Sequence, residues 1–429
     1  MSNKPVRFDE ALDRALTFCR QHAGGLGGDV VVVRDVVGRI RIATTEPARD
    51  VDVLARGLHA LLGAWSPGVA QLFLAKPDLL DPSAIFQAPE LRRIEPRLGL
   101  VERWITETDW VRPATPPPPA EAPRLAFFGV KGGVGRSSAL VAVARHLAEQ
   151  GGRVVVVDLD LESPGVSASL LPPEGRPRFG VVDWFVEGGA SQADEDLVGQ
   201  LVTSSGMAAG TTGEIRVVSA AGERVDTYVT KLGRVQTAST AARGFAEQLD
   251  QLLRLLERRE RPVALLLDCR AGIDDLAAAV VTRLSTTSLL FAVDTPQTWL
   301  AYRLLFSTWH RDRALLEPFR DGLRIVAGLV PETERQRYLD RLRNHAYDLF
   351  ADYVYEEAAP EDIHSFNFDL DDETAPHRPI PVYWRRELQD WDPVGSPDTV
   401  TEEQIAAAFG ELLSYVDDLL GREAEGPAP

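Results

Sequence analysis

Residues Arg124 to Ser138 read RLAFFGVKGGVGRSS and decide the fold of this chain. The stretch combines a short apolar strand, a glycine-rich loop and two hydroxyl residues, and a helical segment follows. A glycine-rich turn before a helix lets several backbone N–H groups converge on one anion, and the peptide dipoles of the helix favour negative charge there. The order of these parts predicts a phosphate-binding loop between a strand and a helix.

One position of the loop departs from the usual pattern. Where the ending G-K-[ST] places lysine, the chain has Arg136, although Lys131 stands at the loop entrance. Lysine occurs otherwise only as Lys4, Lys76 and Lys231, so its retention at the entrance is informative. A guanidinium keeps the positive charge and bonds phosphate bidentately, but it is larger and planar where a compact ammonium normally lies. This predicts that nucleotide binding survives while hydrolysis is slowed or lost.

A second apolar run, RVVVVDLDLESPG from Arg153, ends in Asp158 and Asp160. A continuous apolar run is typical of a parallel strand buried on both faces. Carboxylates at the end of such a strand face the crevice in which α/β sheets bind ligands. Because acids are common in turns, a solvated strand end remains the alternative for either aspartate alone.

A third motif, RPVALLLDCRAGIDD from Arg261 to Asp275, is another apolar run that ends in an acid. Asp268 has the position of a carboxylate beside Mg²⁺, usually through water, because this ion keeps several of its waters. Cys269 is predicted to be a small buried apolar residue. For Arg270 we favour a local ion pair over a contact with phosphate.

The three motifs together resemble the MinD/ParA group of P-loop nucleotidases, whose deviant Walker A loop reads K-G-G-x-G-K-[ST]. They resemble more closely the bacterial KGGVGR-motif variant ATPases, in which the arginine is the rule. The resemblance implies an α/β fold with a mostly parallel sheet flanked by helices, the ligands ATP and Mg²⁺, and a sandwich dimer that depends on nucleotide. The positions that it assigns to nucleotide binding are Gly132, Gly133, Val134, Gly135, Arg136, Ser137, Ser138 and Gly272.

The resemblance also assigns individual roles. Lys131 would reach across the dimer to the nucleotide of the partner, and Asp160 would position the attacking water. Ser137, Asp158 and Asp268 would lie on the metal side of the site. Arg136 would hold the β- and γ-phosphates, Ser138 would contact the α-phosphate, and the N–H of Gly272 would sense the γ-phosphate. No side chain can be assigned to the base, because the strand end at Ala327 and Gly328 lacks the asparagine of relatives.

Composition agrees with a folded protein of more than one core. The chain has 429 residues, of which 45% are hydrophobic and 26% charged, as in soluble globular proteins. Cys19 and Cys269 are its only cysteines, which favours a reducing compartment over a disulfide scaffold. There is no basic-then-apolar leader and no apolar run of about 18 residues. We therefore expect a cytoplasmic protein.

Charge bears on the partners. The net charge is −18, and nucleic-acid binding depends on neutralising phosphates, so we expect no direct nucleic-acid partner. The segment 401–420 predicts an amphipathic helix whose polar face is acidic. Acidic helices are repelled by anionic lipid, so we expect this helix to pack on the core and the protein not to bind membranes.

The proline-rich stretch PATPPPPAEAP, residues 113–123, predicts a semi-rigid linker. Residues 1–112 before it are expected to form a small α+β domain that binds a protein partner, because they contain no metal-ligand spacing and no nucleophile with a matching base. The nucleotide-binding domain is expected over 124–421 and a disordered tail over 422–429.

The function that these features favour is a slow Mg²⁺-dependent ATPase that acts as a nucleotide-controlled dimerisation switch in a bacterial regulatory or defence-associated system. One alternative is a nucleotide-binding scaffold or sensor with little hydrolysis, because Arg136 replaces the usual lysine. A second alternative is a relative of the bacterial tyrosine kinases, which share this loop type. Those enzymes usually carry a C-terminal tyrosine cluster, whereas the last segment here has only Tyr415.

Overall fold

The structure is a computed structural model that describes residues 5–88, 90–104, 108–111, 119–238, 244–311, 313–357 and 365–425. The chain divides into two compact units, Met1–Thr106 and Glu107–Pro429. Most of the predicted linker, residues 113–118, and the last four residues of the predicted tail lie outside the described residues.

The first unit is a small α+β fold. Its helices and strands are α1 Phe8–Gln21, β1 Val30–Arg34, β2 Ile40–Thr44, α2 Val51–Leu62, β3 Phe73–Ala75, α3 Ser83–Phe86, β4 Arg92–Glu95 and β5 Leu98–Glu102. The five strands form one mixed sheet in the order β3-β2-β1-β5-β4. Phe18 of α1 and Leu58 of α2 are buried against the same face of this sheet as Ile42. β1 and β2 form a hairpin, in antiparallel register around Gly38, whose φ is +86°.

The second unit contains the larger sheet. Its elements are β6 Arg124–Gly129, α4 Arg136–Glu149, β7 Arg153–Asp158, α5 Val166–Leu170, α6 Val181–Gly189, α7 Glu195–Leu201, β8 Val202–Ser204, β9 Glu214–Val218, α8 Tyr228–Ala238, α9 Phe245–Glu260, β10 Ala264–Asp268, α10 Asp275–Ala279, β11 Thr287–Ala292, α11 Pro296–His310, α12 Arg313–Leu316, β12 Leu323–Val330, α13 Arg335–Tyr353, β13 Ile380–Tyr383 and α14 Glu402–Glu425.

Eight strands of this unit form a sheet in the order β13-β12-β11-β6-β10-β7-β9-β8. All neighbours pair in parallel except β8, which runs antiparallel to β9 at one edge. Every residue of β6, β10 and β11 is buried, because helices cover both faces of a sheet of this type. The predicted fold class, a mostly parallel sheet flanked by helices with a small N-terminal α+β unit, is confirmed.

Two segment boundaries differ from the sequence-based expectation. The last strand of the first unit, β5, ends at Glu102. The indole of Trp110 is buried in the second unit, where its Nε1 donates to the carbonyl of Asp274 at 3.1 Å. The division of the chain thus falls before the expected residue 112. At the other end, α14 continues to Glu425, so residues 422–425 of the expected tail are helical.

The C-terminal helix packs as expected. Ile405, Phe409, Leu412 and Val416 of α14 are buried in the cluster on the α4 side of the sheet. This spacing of three and four residues places one apolar stripe on the sheet and leaves the acidic face to water. Among the described helices, none has the length and apolar character needed to cross a bilayer.

Candidate nucleotide site

The glycine-rich loop joins the end of β6 to the start of α4. Gly133 has φ +69° and Gly135, the residue before the helix, has φ +83°. Side chains with a Cβ rarely adopt this backbone conformation, so the two glycines permit the tight turn. The first turn of α4 contains Arg136, Ser137 and Ser138. The amide groups of a first helical turn have no partner within the helix, and they point toward the loop as an anion site requires.

The sheet order explains why the acidic motifs meet at this loop. β6 lies next to β10, and β10 lies next to β7. In the parallel register Asp268 is opposite Asp158 on one side and Phe127 on the other. The carboxyl ends of the three strands therefore form one edge, as the sequence predicts.

The guanidinium of Arg136 contacts the carboxylates of Asp268 and Asp160. Its Nε donates to Oδ1 of Asp268 at 2.9 Å, and its Nη2 lies 3.5 Å from Oδ2 of Asp160. Only 8% of Arg136 is exposed, so both ion pairs are shielded from water. The sequence assigned this side chain to the β- and γ-phosphates, whereas the structure places it between two carboxylates.

Asp268 is shared by two residues of the loop. The hydroxyl of Ser137 donates to its Oδ2 at 3.0 Å, while Arg136 occupies its Oδ1. Burial raises the pKa of Asp268, and the charge of Arg136 works in the opposite direction. The hydrogen bond between the hydroxyl of Ser137 and the carboxylate of Asp268 shows that the two side chains lie on the same side of the loop.

Asp158 and Asp160 have different surroundings. Asp158 is fully buried, and its Oδ2 accepts from the N–H and hydroxyl of Ser167 while its Oδ1 accepts from the N–H of Asp160. Burial, together with the charge of Asp268, raises the pKa of Asp158 to about 7. Both carboxylate oxygens of Asp158 therefore accept hydrogen bonds from the segment that follows β7. These contacts stabilise the conformation of that segment and do not favour the metal-side role expected from sequence.

The two carboxylate oxygens of Asp160 have different partners: Oδ2 faces Arg136, and Oδ1 accepts hydrogen bonds within the loop. Its Oδ1 accepts from the N–H and hydroxyl of Ser163 at 3.1 and 3.0 Å. Asp160 is 6% exposed, and its carboxylate lies in the crevice beside the loop. The motif analysis missed both Ser163 and Ser167. Ser163, three positions after Asp160, has the spacing of a common turn partner, whereas Ser167, nine positions after Asp158, gives no such local signal.

The segment after β10 follows the sequence-based expectation in part. Cys269 is buried, and burial raises the pKa of its thiol. Arg270 pairs with Glu162 at 3.2 Å, which is the ion pair favoured from sequence. Gly272 has φ +102°, but its N–H donates to the carbonyl of Gly129 at 3.0 Å. That amide is therefore engaged by the end of β6 rather than directed at the loop centre.

The remaining loop residues are open to different degrees. Lys131, Gly132 and Gly133 are exposed, Val134 is buried, and Ser138 is half-buried. Val134 meets the end of β12, because a Cβ added to Gly328 would lie 2.4 Å from the carbonyl oxygen of Val134. Sequence analysis gave Gly328 no role; the structure shows that a side chain there would collide with the loop.

The donor set fits Mg²⁺ only with help from solvent and phosphate. Within the described residues, no group of three or more His, Cys, Asp or Glu side chains is arranged to hold a metal ion. Mg²⁺ usually keeps several waters and takes one or two protein ligands beside substrate phosphates. Ser137 and Asp268, which lie 3.0 Å apart, supply the hydroxyl and carboxylate for such a site.

Residues 125–294 match the sequence model of the CobQ/CobB/MinD/ParA nucleotide binding domain. For these residues the match confirms the resemblance of the motifs to the MinD/ParA group. The closer resemblance to the KGGVGR-motif variant ATPases stays a prediction. No curated protein sequence matches the chain.

Three solved structures are similar to the chain at low identity. A ParA termed pNOB8 ParA, bound to nonspecific DNA, is 16% identical with a TM-score of 0.46 over 71% of this chain and 99% of its own. A cobyrinic acid a,c-diamide synthase from Mycobacterium smegmatis with bound ATP analog and magnesium is 16% identical with a TM-score of 0.43 over 71% and 97%. The cell division ATPase MinD of Pyrococcus furiosus is 15% identical with a TM-score of 0.42 over 70% and 99%.

Proposed function

We propose that the second unit binds ATP with Mg²⁺ and hydrolyses it slowly, and that the bound nucleotide controls assembly of a face-to-face dimer. The observation that carries the proposal is the meeting of the glycine-rich loop with Ser137, Asp160 and Asp268 at one edge of the sheet. The amides of the loop and of the first turn of α4 would bind the phosphates. We place this switch in a bacterial regulatory or defence-associated system.

The residues have separate tasks in this proposal. When bound, the metal would offset charge on the phosphates and leave the protein to position the water. Ser137 and Asp268 would hold its hydration shell, and Asp160 would accept a hydrogen bond from the attacking water. For these contacts to form, Arg136 must leave Asp268 and Asp160 and turn toward the phosphates. Two shielded ion pairs oppose that movement, which supports slow turnover.

The central test compares ATP binding by calorimetry with phosphate release for the wild type, Asp160→Ala and Lys131→Ala. We expect Asp160→Ala to bind ATP but to release phosphate about 100-fold more slowly, the usual range for a group that positions or activates a nucleophile. We expect Lys131→Ala to bind ATP but to lose the ATP-dependent dimer in light scattering. Asp321→Ala, which removes an exposed acid before β12, is the matched control. Undiminished turnover in both site variants would remove the assigned chemistry.

A second candidate is a nucleotide-gated scaffold without useful turnover. The observation that favours it is the pair of contacts that Arg136 makes with the acids. This candidate predicts tight ATP binding without phosphate release in the wild type. It also predicts that Arg136→Lys, whose shorter ammonium forms a less extensive pair, gains phosphate release. Measurable wild-type release that Arg136→Lys leaves unchanged would reject it.

The partner of the N-terminal unit is proposed to be a protein. This unit presents no chemistry of its own in the sequence, and its sheet is covered by helices on the Ile42 face. Affinity capture of the full chain with ATP, with ADP and without nucleotide tests the proposal. A partner whose recovery changes with nucleotide supports a switch, whereas identical recovery under the three conditions argues against one.

A further inference from the structure

Helix α8 follows β9 and packs beside the loop that carries Asp160. Its inner face holds Leu232 and the buried Val235 against the larger core of the unit. Lys231 on the same face pairs with Asp183 of α6 at 2.6 Å, and the Asp183 side chain is only 6% exposed. The helix is thus fixed to α6 by both apolar packing and a partly buried ion pair.

The first residue of α8 reaches the Asp160 loop directly. The hydroxyl of Tyr228 donates to the backbone carbonyl of Leu161 at 2.6 Å. Leu161 is the residue immediately after Asp160, and its own side chain is buried. Burial and the neighbouring carboxylates of Asp158 and Glu162 raise the pKa of Tyr228. The phenol therefore keeps its proton and remains a donor across the physiological range.

The other contacts of this loop are of two kinds. Asp160 bonds to Ser163 within the same loop, and Asp158 bonds to Ser167 in the following helix α5. Contacts from outside come from Arg136, whose Nη2 lies 3.5 Å from Oδ2 of Asp160, and from two residues on the flanks. Tyr228 bonds to Leu161 on one flank, and Arg270 pairs with Glu162 on the other. Arg270 and Glu162 are both partly exposed, and such ion pairs hold geometry weakly. The bond from Tyr228 is short, half-buried and directed at the main chain.

We propose that Tyr228 is a positioning residue that holds the Asp160 loop in place through the carbonyl of Leu161. The carbonyl of Leu161 lies in the peptide group one residue beyond Asp160, so this hydrogen bond restricts the backbone beside the residue that carries the carboxylate. The inference rests on the proposed ATPase function for its effect on turnover, but its effect on the loop does not depend on turnover. Placement of a nucleophile-orienting group within fractions of an ångström affects rate more than affinity.

The test uses Tyr228→Phe in the full chain, which removes one hydroxyl and keeps the ring. The matched control is Tyr383→Phe, which removes a hydroxyl that donates at 2.6 Å to Glu411 near the far edge of the sheet. The readouts are kcat and KM for phosphate release, the unfolding midpoint in urea, and hydrogen exchange of residues 160–165 with and without Mg-ADP. A net hydrogen bond is typically worth a factor of about two to ten.

We expect Tyr228→Phe to lower kcat by about two- to tenfold, with KM nearly unchanged, and to speed exchange of residues 160–165. Tyr383→Phe should leave both unchanged. Equal kcat and exchange in Tyr228→Phe and wild type would overturn the proposal, and so would an equal fall of kcat in both variants. If the wild type releases no phosphate, the ATPase proposal fails. In that case hydrogen exchange of residues 160–165 is the only test of the positioning role. Faster exchange in Tyr228→Phe supports that role, and unchanged exchange refutes it.

Discussion

At the scale of single residues, Arg124 shows how a charge is kept inside an apolar strand. It begins β6, is 1% exposed, and donates through Nε to Glu257 at 2.7 Å and through Nη1 to Asp250 at 3.1 Å. Both acids lie on α9, so the pairs join this helix to the strand that leads into the loop. Taking such charges out of water is costly unless each finds a partner.

Replacing only Arg124 should therefore lower the free energy of unfolding more than replacing both Arg124 and its partner Glu257. We expect Arg124→Met to lower the free energy of unfolding by about 3–5 kcal/mol, since it leaves the carboxylate of Glu257 buried and uncompensated. The double variant Arg124→Met with Glu257→Leu should recover most of this loss. Urea unfolding at constant slope measures both values. A double variant as unstable as the single one would contradict the argument.

Gly328 offers a second prediction at this scale. A methyl group there would lie 2.4 Å from the carbonyl oxygen of Val134, a distance at which something must shift. Because the obstacle is main chain, we expect Gly328→Ala to displace the glycine-rich loop and to weaken ATP binding at least tenfold in calorimetry.

The control for Gly328 is Gly410→Ala in α14, where an added Cβ meets no atom within 4 Å. That change should leave ATP affinity unchanged and raise stability by about 0.5–1 kcal/mol, because glycine is a poor helix former. If Gly328→Ala binds ATP as tightly as the wild type, the glycine-rich loop accommodates the added methyl group without loss of affinity, and the prediction is wrong.

At the scale of elements, α10 begins with an unusual cap. Asp274 accepts from the N–H groups of Leu276 and Ala277 at 3.0 and 3.1 Å, and burial raises its pKa from 3.8 to about 6. The folded protein therefore keeps a proton on Asp274 between about pH 4 and pH 6 that the unfolded chain releases. In this window the contribution of Asp274 to stability falls as pH rises, and above about pH 6 it stays at its lowest value.

Asp274→Asn tests this reasoning, because asparagine caps a helix about as well as aspartate and does not ionise. We expect the variant to equal the wild type in stability near pH 4. It should exceed the wild type by an amount that grows up to about pH 6, to at most about 3 kcal/mol. Chemical unfolding at several pH values measures the difference. A difference that is independent of pH would show that the pKa of Asp274 is not raised.

The elements also show what sequence could predict. The strands β6, β7 and β10 were predicted because strands buried on both faces are uninterrupted apolar runs, and an acid ending a run marks the ligand edge. The short edge strands β4 and β8 carry no such pattern and were not predicted. The contact of Arg136 with Asp268 joins residues 132 positions apart, and that of Tyr228 with Leu161 spans 67. Local patterns do not encode such pairs, which depend on how the sheet assembles.

At the scale of the whole molecule, charge predicts how the protein meets nucleic acid. The net charge of −18 opposes nonspecific DNA, since such binding relies on neutralising phosphates.

We expect fluorescence anisotropy with a labelled duplex to show no binding at micromolar protein in about 50 mM salt, with or without ATP and Mg²⁺. An arginine-rich surface created by dimerisation would give the opposite result: binding that requires ATP and falls steeply between about 50 and 200 mM salt, with a slope that counts the phosphates contacted. Lys131→Ala separates these cases, because it should abolish binding that depends on the dimer. DNA binding by the wild type that Lys131→Ala removes would contradict the expectation drawn from net charge and would make nucleic acid a partner of the assembled form.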